Sequence, residues 1–405
     1  MSEIKVNSIK GVGSTDAAIT INNSDGTCTA NLTNKPNRNL IINGAMQVAQ
    51  RGTSSTASGY GTVDRMQNQY SVGNENVTQE QVDVASGTTP YTEGFRKAYK
   101  QTNGNQTSGV GANYYIYLWT TLEAQDIANS GWNYTDPNSF ITLSFWIKSS
   151  VAQNFYGTLT TDDGTAQNYV YETGSLTADT WTKITKKIPG NSNLQFDNNA
   201  NSGLKIAPYR AYDGTDRTAS MSLNTWGAYS GSSRSPDATA TWYTTNDATI
   251  EITGLQLEVS DHASSFEFLS FADELRRCKR YFNNFGATTA TGTSATYMLI
   301  QGGYARFGGA NSIALQRIFY DVEMRTTPTI KYGRNSTNDD FAVMRWSSDG
   351  SNPVVYLGST EGSNRCGFQI TRYNAGSGTN PVTETYNDGD SFTHQISKFR
   401  ADAEL

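Results

Sequence analysis

ATIEITGLQLEVS, residues 248–260, is the stretch on which the fold turns. Ile250 and Ile252 stand two apart, as apolar residues of a half-buried strand must when successive side chains point to opposite faces. Gly254 interrupts the alternation, and Leu255, Leu257 and Val259 resume it one position out of phase. A bulge at Gly254, where one extra residue is accommodated on this strand, returns all five apolar residues to the core face. The stretch therefore predicts a bulged strand in a sheet with a buried side.

The same reading extends in both directions. In FITLSFWIKSS, Ile141, Leu143, Phe145 and Ile147 share one face, and Thr142, Ser144, Trp146 and Lys148 the other. WTKITKKIPG places Ile184 and Ile188 inward and Lys183 and Lys187 outward, and Pro189-Gly190 ends the strand. Such strands and turns recur through residues 39–265, which predicts a single large β-sandwich, a jelly roll. Residues 286–405 return to β patterns at Tyr297, Leu299 and Gln301, in FAVMRW, PVVYLG and TTPTIKY, and in the closing FRADAEL, predicting a smaller C-terminal β-sandwich. Between the two, residues 266–285 read as a linker helix. Leu275, Cys278 and Phe282 lie on one helical face, Ser270 with Asp273 makes a capping box, and the basic residues from Arg276 to Arg280 are expected to face solvent or acidic partners. Residues 1–38 carry only brief strand signals near Val6 and Ile9 and at Ile19 and Ile21. A segment this short cannot build its own core and is expected to pack on something else, another copy of itself included.

Composition agrees with an all-β chain. Of 405 residues, 36% are hydrophobic and only 17% charged, but 23 Tyr, 16 Phe and 7 Trp give ample surface to bury, which excludes disorder. The net charge is −6 and the only basic cluster is Arg276–Arg280, so no nucleic-acid partner is expected. No apolar run approaches bilayer length, so no membrane insertion is expected. The leading MSEIKVNSIK lacks the apolar region of a secretory signal, so synthesis in a cytoplasm without signal-directed export is expected. Cys28, Cys278 and Cys366 are far apart and have neither metal nor disulfide spacing.

Catalytic motifs are missing. His262 and His394 are the only histidines, neither near a G-x-S-x-G stretch, and no zinc or nucleotide motif occurs. No cofactor or metal is expected, and the chain reads as a non-enzyme. A glycosidase would need only two carboxylates; Glu123, Asp126, Asp162, Asp163 and Glu172 are candidates, and nothing selects a pair. Asp162-Asp163-Gly164 reads as a hairpin turn before it reads as a calcium site. The positive signal is aromatic. One cluster holds Tyr114, Tyr115, Tyr117, Trp119, Trp132 and Tyr134; another holds Trp226, Tyr229, Trp242 and Tyr243, interleaved with Ser, Asn and Asp. Flat rings beside amides and hydroxyls suit the apolar faces and hydroxyls of sugars. Trp132, Trp226, Trp119, Tyr134, Tyr229 and Trp242 are the candidate carbohydrate contacts. Trp132 and Trp226, each beside a glycine, are expected at the surface.

Several stretches together resemble a known family. RNLIINGAMQVAQRGTSS (residues 38–55), the following YGTVDRM, ITGLQLEVSDHASSFEFLSFADELRRCKRYF (residues 252–282) and FYDVEMRTTPTI from Phe319 resemble segments of tail-fibre, receptor-binding proteins of tailed phages, those of marine bacteria and cyanobacteria above all. MSEIKVNSI resembles their N-terminal attachment segment. The resemblance implies a virion protein made in the host cytoplasm, a carbohydrate-binding-module-like jelly roll, and docking on a phage tail or baseplate protein through residues 1–38. It also implies a homotrimer and a host surface polysaccharide or other receptor as partner. The C-terminal tip, distal in that geometry, is favoured for host contact over the jelly-roll aromatic clusters, and the jelly roll would then keep a sugar-binding shape with a structural role. A polysaccharide depolymerase and a purely structural collar, baseplate or decoration protein are the competing readings.

Overall fold

The computed structural model describes residues 37–106, 113–214, 222–232, 234–285, 312–333 and 398–405 continuously. It also describes short pieces at 6–10, 12, 19–21, 24, 28–30, 298–300, 305–306, 343–345, 354–356, 365, 367–373 and 394–396. Near the N-terminus β1 (Ser8–Ile9), β2 (Ile19–Ile21) and β3 (Cys28–Ala30) make a small sheet. Ile9 within it and Val6 just before it are exposed.

Twelve strands then form the sandwich. They are β4 (Ser54–Ser55), β5 (Gln67–Ser71), β6 (Thr78–Asp83), β7 (Lys97–Thr102), β8 (Tyr115–Glu123), β9 (Phe140–Ser149), β10 (Asn154–Thr161), β11 (Gln167–Ser175), β12 (Thr182–Pro189), β13 (Ser202–Asp213), β14 (Trp226–Ala228) and β15 (Thr249–Glu258). One six-stranded sheet runs β14-β11-β10-β13-β8-β5, the other β12-β9-β15-β7-β6-β4, and every pairing is antiparallel. Short helices α1 (Thr89–Thr92), α2 (Ala124–Ala128) and α3 (Thr241–Thr244) lie in the connections. The chain is all-β, as its sequence implies.

The bulge in β15 falls where the phase break places it. Thr253 pairs with Trp146 while Gln256 pairs with Ser144, so this strand carries one residue more than β9 across the step. Ile250, Ile252, Leu255 and Leu257 are all fully buried between the sheets. Val259 is not. It is 38% exposed, because β15 ends at Glu258 and the chain bends away before Val259 reaches the core. Ile141, Leu143, Phe145, Ile147, Ile184 and Ile188 point inward as expected. The opposite face of β9 is covered too: Trp146 packs with Ala45, Val84, Phe95 and Ala98, and Phe266 closes over them.

After the sandwich comes α4 (Phe271–Lys279), followed by β16 (Phe282–Phe285). Ser270 caps the helix by accepting the Asp273 N–H at 3.2 Å. Cys278 and Phe282 are buried, but Leu275 is only half-buried, and the residue that fills the expected place is Glu274. Its carboxylate accepts the backbone N–H of Asn43, so the helix seats on the first turns of the sandwich through a polar contact as well as an apolar one. Two of the basic residues find acidic partners within the chain: Arg280 binds both Glu123 oxygens at 2.8 Å, and Lys279 pairs with Asp321, while Arg277 donates to Asn37 Oδ1 at 2.6 Å and Arg276 is exposed.

In the C-terminal region, strand Lys398–Asp402 lies between β16 and strand Thr329–Gly333. The strands expected in FAVMRW and PVVYLG are Val343–Arg345 and Val354–Tyr356, paired with each other. Met298–Ile300 is a strand, while Tyr297 and Gln301 lie outside the described residues, as does much of the C-terminal sandwich read from the sequence. Arginines knit this region to the sandwich. Arg51 stacks on Phe282 and Arg65 on Tyr281, each with its guanidinium carbon 3.5 Å from the ring centroid, and both pair with Glu404. Arg325 donates to the carbonyls of Ala200, Ala403 and Glu404. Residues 51 and 65, 281–282, 325 and 404, far apart in the sequence, therefore meet in one place.

Candidate functional site

The outer face of the β14–β5 sheet is built by period two. In β8, Ile116, Leu118 and Leu122 enter the core, so Tyr115, Tyr117 and Trp119 project from the other side. Their rings form a ladder, with centroids 5.4 Å apart at each step. In β13 one residue too many lies between the pairs Ile206–Thr120 and Tyr209–Leu118, at Ala207-Pro208. This bulge accommodates a proline in a central strand and keeps both Ile206 and Tyr209 inside, so Arg210 emerges on the ladder's side.

Two rows cross the face. Gln69, Tyr117, Arg210, Tyr156 and Glu172 are successive partners across β5, β8, β13, β10 and β11. Thr121, Lys205, Thr160, Asn168 and Gly227 are successive partners from β8 to β14. Each ring of the ladder has a cation over it: Arg234 at 5.3 Å from Tyr115, Arg210 at 4.3 Å from Tyr117, and Lys205 at 5.3 Å from Trp119. The Trp119 indole N–H donates to Gln67 Oε1. Tyr115 and Trp119 are half-buried, while Tyr117 lies beneath the arginines with 6% exposure. Burial alone would raise the Asp213 carboxyl, but Arg210 and Arg234 outweigh it and hold it below the usual range. Burial raises the Tyr117 phenol. The face thus offers flat rings, amides and hydroxyls held rigidly from behind.

The six aromatic candidates separate on this geometry. Trp119 is in the ladder. Tyr229, 41% exposed, stands on the loop that brings Arg234 to Tyr115. Trp132 and Trp226, expected at the surface, are buried at 3% and 7% exposure. Trp132 packs on Tyr134 and Phe196 and donates to the Ser139 carbonyl at 3.2 Å. Trp226 packs on Tyr169 and donates to the Pro189 carbonyl at 2.7 Å. Trp242 is wholly buried and donates to the Thr249 carbonyl, and Tyr134 is half-buried against Phe196. In each buried case a backbone carbonyl satisfies the indole N–H, which lets the ring leave water. Sequence reasoning had Tyr115 and Tyr117 in the right cluster but left them out of the contact set, although the alternation in YIYLWTT marks them. Arg210, Arg234 and Asp213 carry no local signal, because a bulge and a distant loop bring them in.

Three of the candidate carboxylates already have partners. Glu123 is buried against Arg280 and the Tyr281 hydroxyl. Asp162 pairs with Lys205, and Asp163 accepts the Asp197 N–H at 2.9 Å. Asp162-Asp163-Gly164 makes the turn between β10 and β11, with Gly164 at φ +60°. Among the described residues no group of three His, Cys, Asp or Glu is placed to hold a metal ion, and no helix is long and apolar enough to cross a membrane.

No family model matches the chain, and no curated protein matches it. Similar solved structures include the enzymatically active domain of tailspike protein 4 from bacteriophage CBA120, at 10% identity and TM-score 0.29, covering 56% of this chain and 22% of that one. A putative sugar binding protein from Bacteroides thetaiotaomicron aligns at 10% identity and TM-score 0.29, covering 55% and 100%. The tripod of the bacteriophage Tuc2009 baseplate aligns at 11% identity and TM-score 0.26, covering 63% and 66%. A likeness at these scores assigns no ligand and no activity.

Proposed function

We propose that this chain is a non-catalytic, tail-fibre-like virion protein that binds a host surface polysaccharide on the outer face of its β14–β5 sheet. The observation that carries the binding part is the Tyr115–Tyr117–Trp119 ladder, held in line on one strand and bordered by Gln67, Gln69 and Thr160. The apolar faces of sugar rings stack on the two accessible rings of this ladder, Tyr115 and Trp119, while hydroxyls meet the amides. The sequence resemblance described above supports the virion assignment, attachment through residues 1–38 and a homotrimer. Several copies then act together, and effective concentration offsets weak single-site binding.

Binding of the labelled full chain to intact host cells and to their isolated polysaccharide tests the reading. Trp119→Ala is expected to weaken binding about tenfold, equivalent to about 1.4 kcal/mol. Unchanged binding by that variant would remove the site from this face. Release of new reducing ends or unsaturated uronates from the polysaccharide would make the protein a depolymerase instead.

A further inference from the structure

Resting on that reading of the face, we infer that its ligand is an uncharged polysaccharide rather than one bearing uronate, sulfate or phosphate groups. The aromatic ladder carries cations, and cations beside rings would ordinarily point to an acidic glycan. Here their charge is already committed. Arg210 reaches Asp213 at 3.1 Å, and Arg234 grips both oxygens of the same carboxylate at 3.0 and 2.7 Å. The side chains of Arg210 and Asp213 are 5% and 1% exposed, so this pair lies below the surface that a ligand would touch. Arg210 spends a further donor on Thr158 Oγ1 at 3.1 Å. Lys205, the most accessible of the three, is held by Asp162 at 2.7 Å. At the far end of the first row, exposed Glu172 accepts from Asn154 and interacts electrostatically with Lys186.

Among the described residues of the face, Lys205, Arg210 and Arg234 therefore stand against Asp162, Asp213 and Glu172. An acidic sugar would have to break a buried Arg–Asp pair or displace Asp162, and each step leaves a carboxylate uncompensated. The chain's net charge of −6 adds repulsion at longer range. Beside these charges the face offers neutral groups: the rings of Tyr115 and Trp119, the amides of Gln67 and Gln69, and the hydroxyls of Tyr156 and Thr160.

The test uses the full chain on an array of neutral and acidic glycans, and in affinity gels containing a glucan, a mannan, a galactan, an alginate or a carrageenan. Each is run at about 0.01 M and about 1 M salt, between which the screening length falls roughly tenfold. Expected is retention by neutral glycans that salt leaves unchanged, that Trp119→Ala weakens about tenfold and that Trp119→Phe, which keeps a flat ring, preserves. Retention by acidic glycans at low salt that vanishes at high salt would overturn the uncharged assignment and leave the glycan site standing. No retention by any glycan, from a chain whose thermal melt is intact, would overturn the glycan reading itself.

Discussion

A methyl group at position 254 would have nowhere to go. Gly254 adopts φ +67°, and a Cβ built there lies 2.6 Å from the tip of the Phe95 ring. That ring is itself fixed between Phe266 and Phe268, at 4.9 and 5.0 Å. Gly254→Ala combines left-handed backbone strain with overpacking, each costing about 1–3 kcal/mol. Chemical denaturation should show a loss of about 2–5 kcal/mol; an unmoved midpoint would mean that the bulge relaxes at no cost. The need for glycine here was legible in the sequence, because phase is a local property of a strand. The fate of Trp132 and Trp226 was not. A neighbouring glycine announces a turn, but whether the ring folds back depends on a carbonyl elsewhere. For Trp226 that carbonyl belongs to Pro189, 37 residues away.

Among the elements, α4 shows the same division. Its cap and the burial of Cys278 and Phe282 follow from spacing alone. Burial of Glu274 does not, since its partner, the Asn43 N–H, is 231 residues away. The capping bond from Ser270 is the helix's own contribution to seating on the sandwich. Ser270→Ala should cost about 1 kcal/mol, read as a lower thermal midpoint with the strand signal retained. A variant as stable as the parent would show that packing alone holds the helix. On the outer face of the β14–β5 sheet, the β8 ladder could be read from alternation. The two residues that stiffen it, Arg210 and Arg234, could not, for one emerges after a bulge and the other arrives on a loop.

For the molecule as a whole, the junction of sandwich, α4 and C-terminal strand concentrates buried charge. Asp64 lies within it, accepting from the Gln50 backbone and 3.9 Å from Arg51. Burial raises its carboxyl from 3.8 to about 6, against the lowering pull of Arg51 and Gln50. A carboxyl whose folded pKa exceeds its unfolded one favours the fold when protonated. Its contribution is complete below the unfolded value and is lost as pH rises through about 6. The difference in stability between the parent and Asp64→Asn, which cannot titrate, should therefore fall by roughly 3 kcal/mol between about pH 4 and about pH 7. Taking the difference removes Glu123, which runs the opposite way: buried, but with a carboxyl that Arg280 and Tyr281 hold below the usual range. A difference independent of pH would show that Asp64 stays ionised throughout.

The segment leading into the sandwich and the one leading out are hydrogen-bonded neighbours. Arg38 Nε donates to Ser264 Oγ at 3.0 Å and the Asn39 N–H to Glu267 at 2.8 Å, although these pairs are 226 and 228 residues apart. Traction applied to the two ends of the chain would thus run through this seam and bypass the sheets. The sandwich would hang beside the load path like a float beside its line, and its rings would keep their spacing until the seam itself parted.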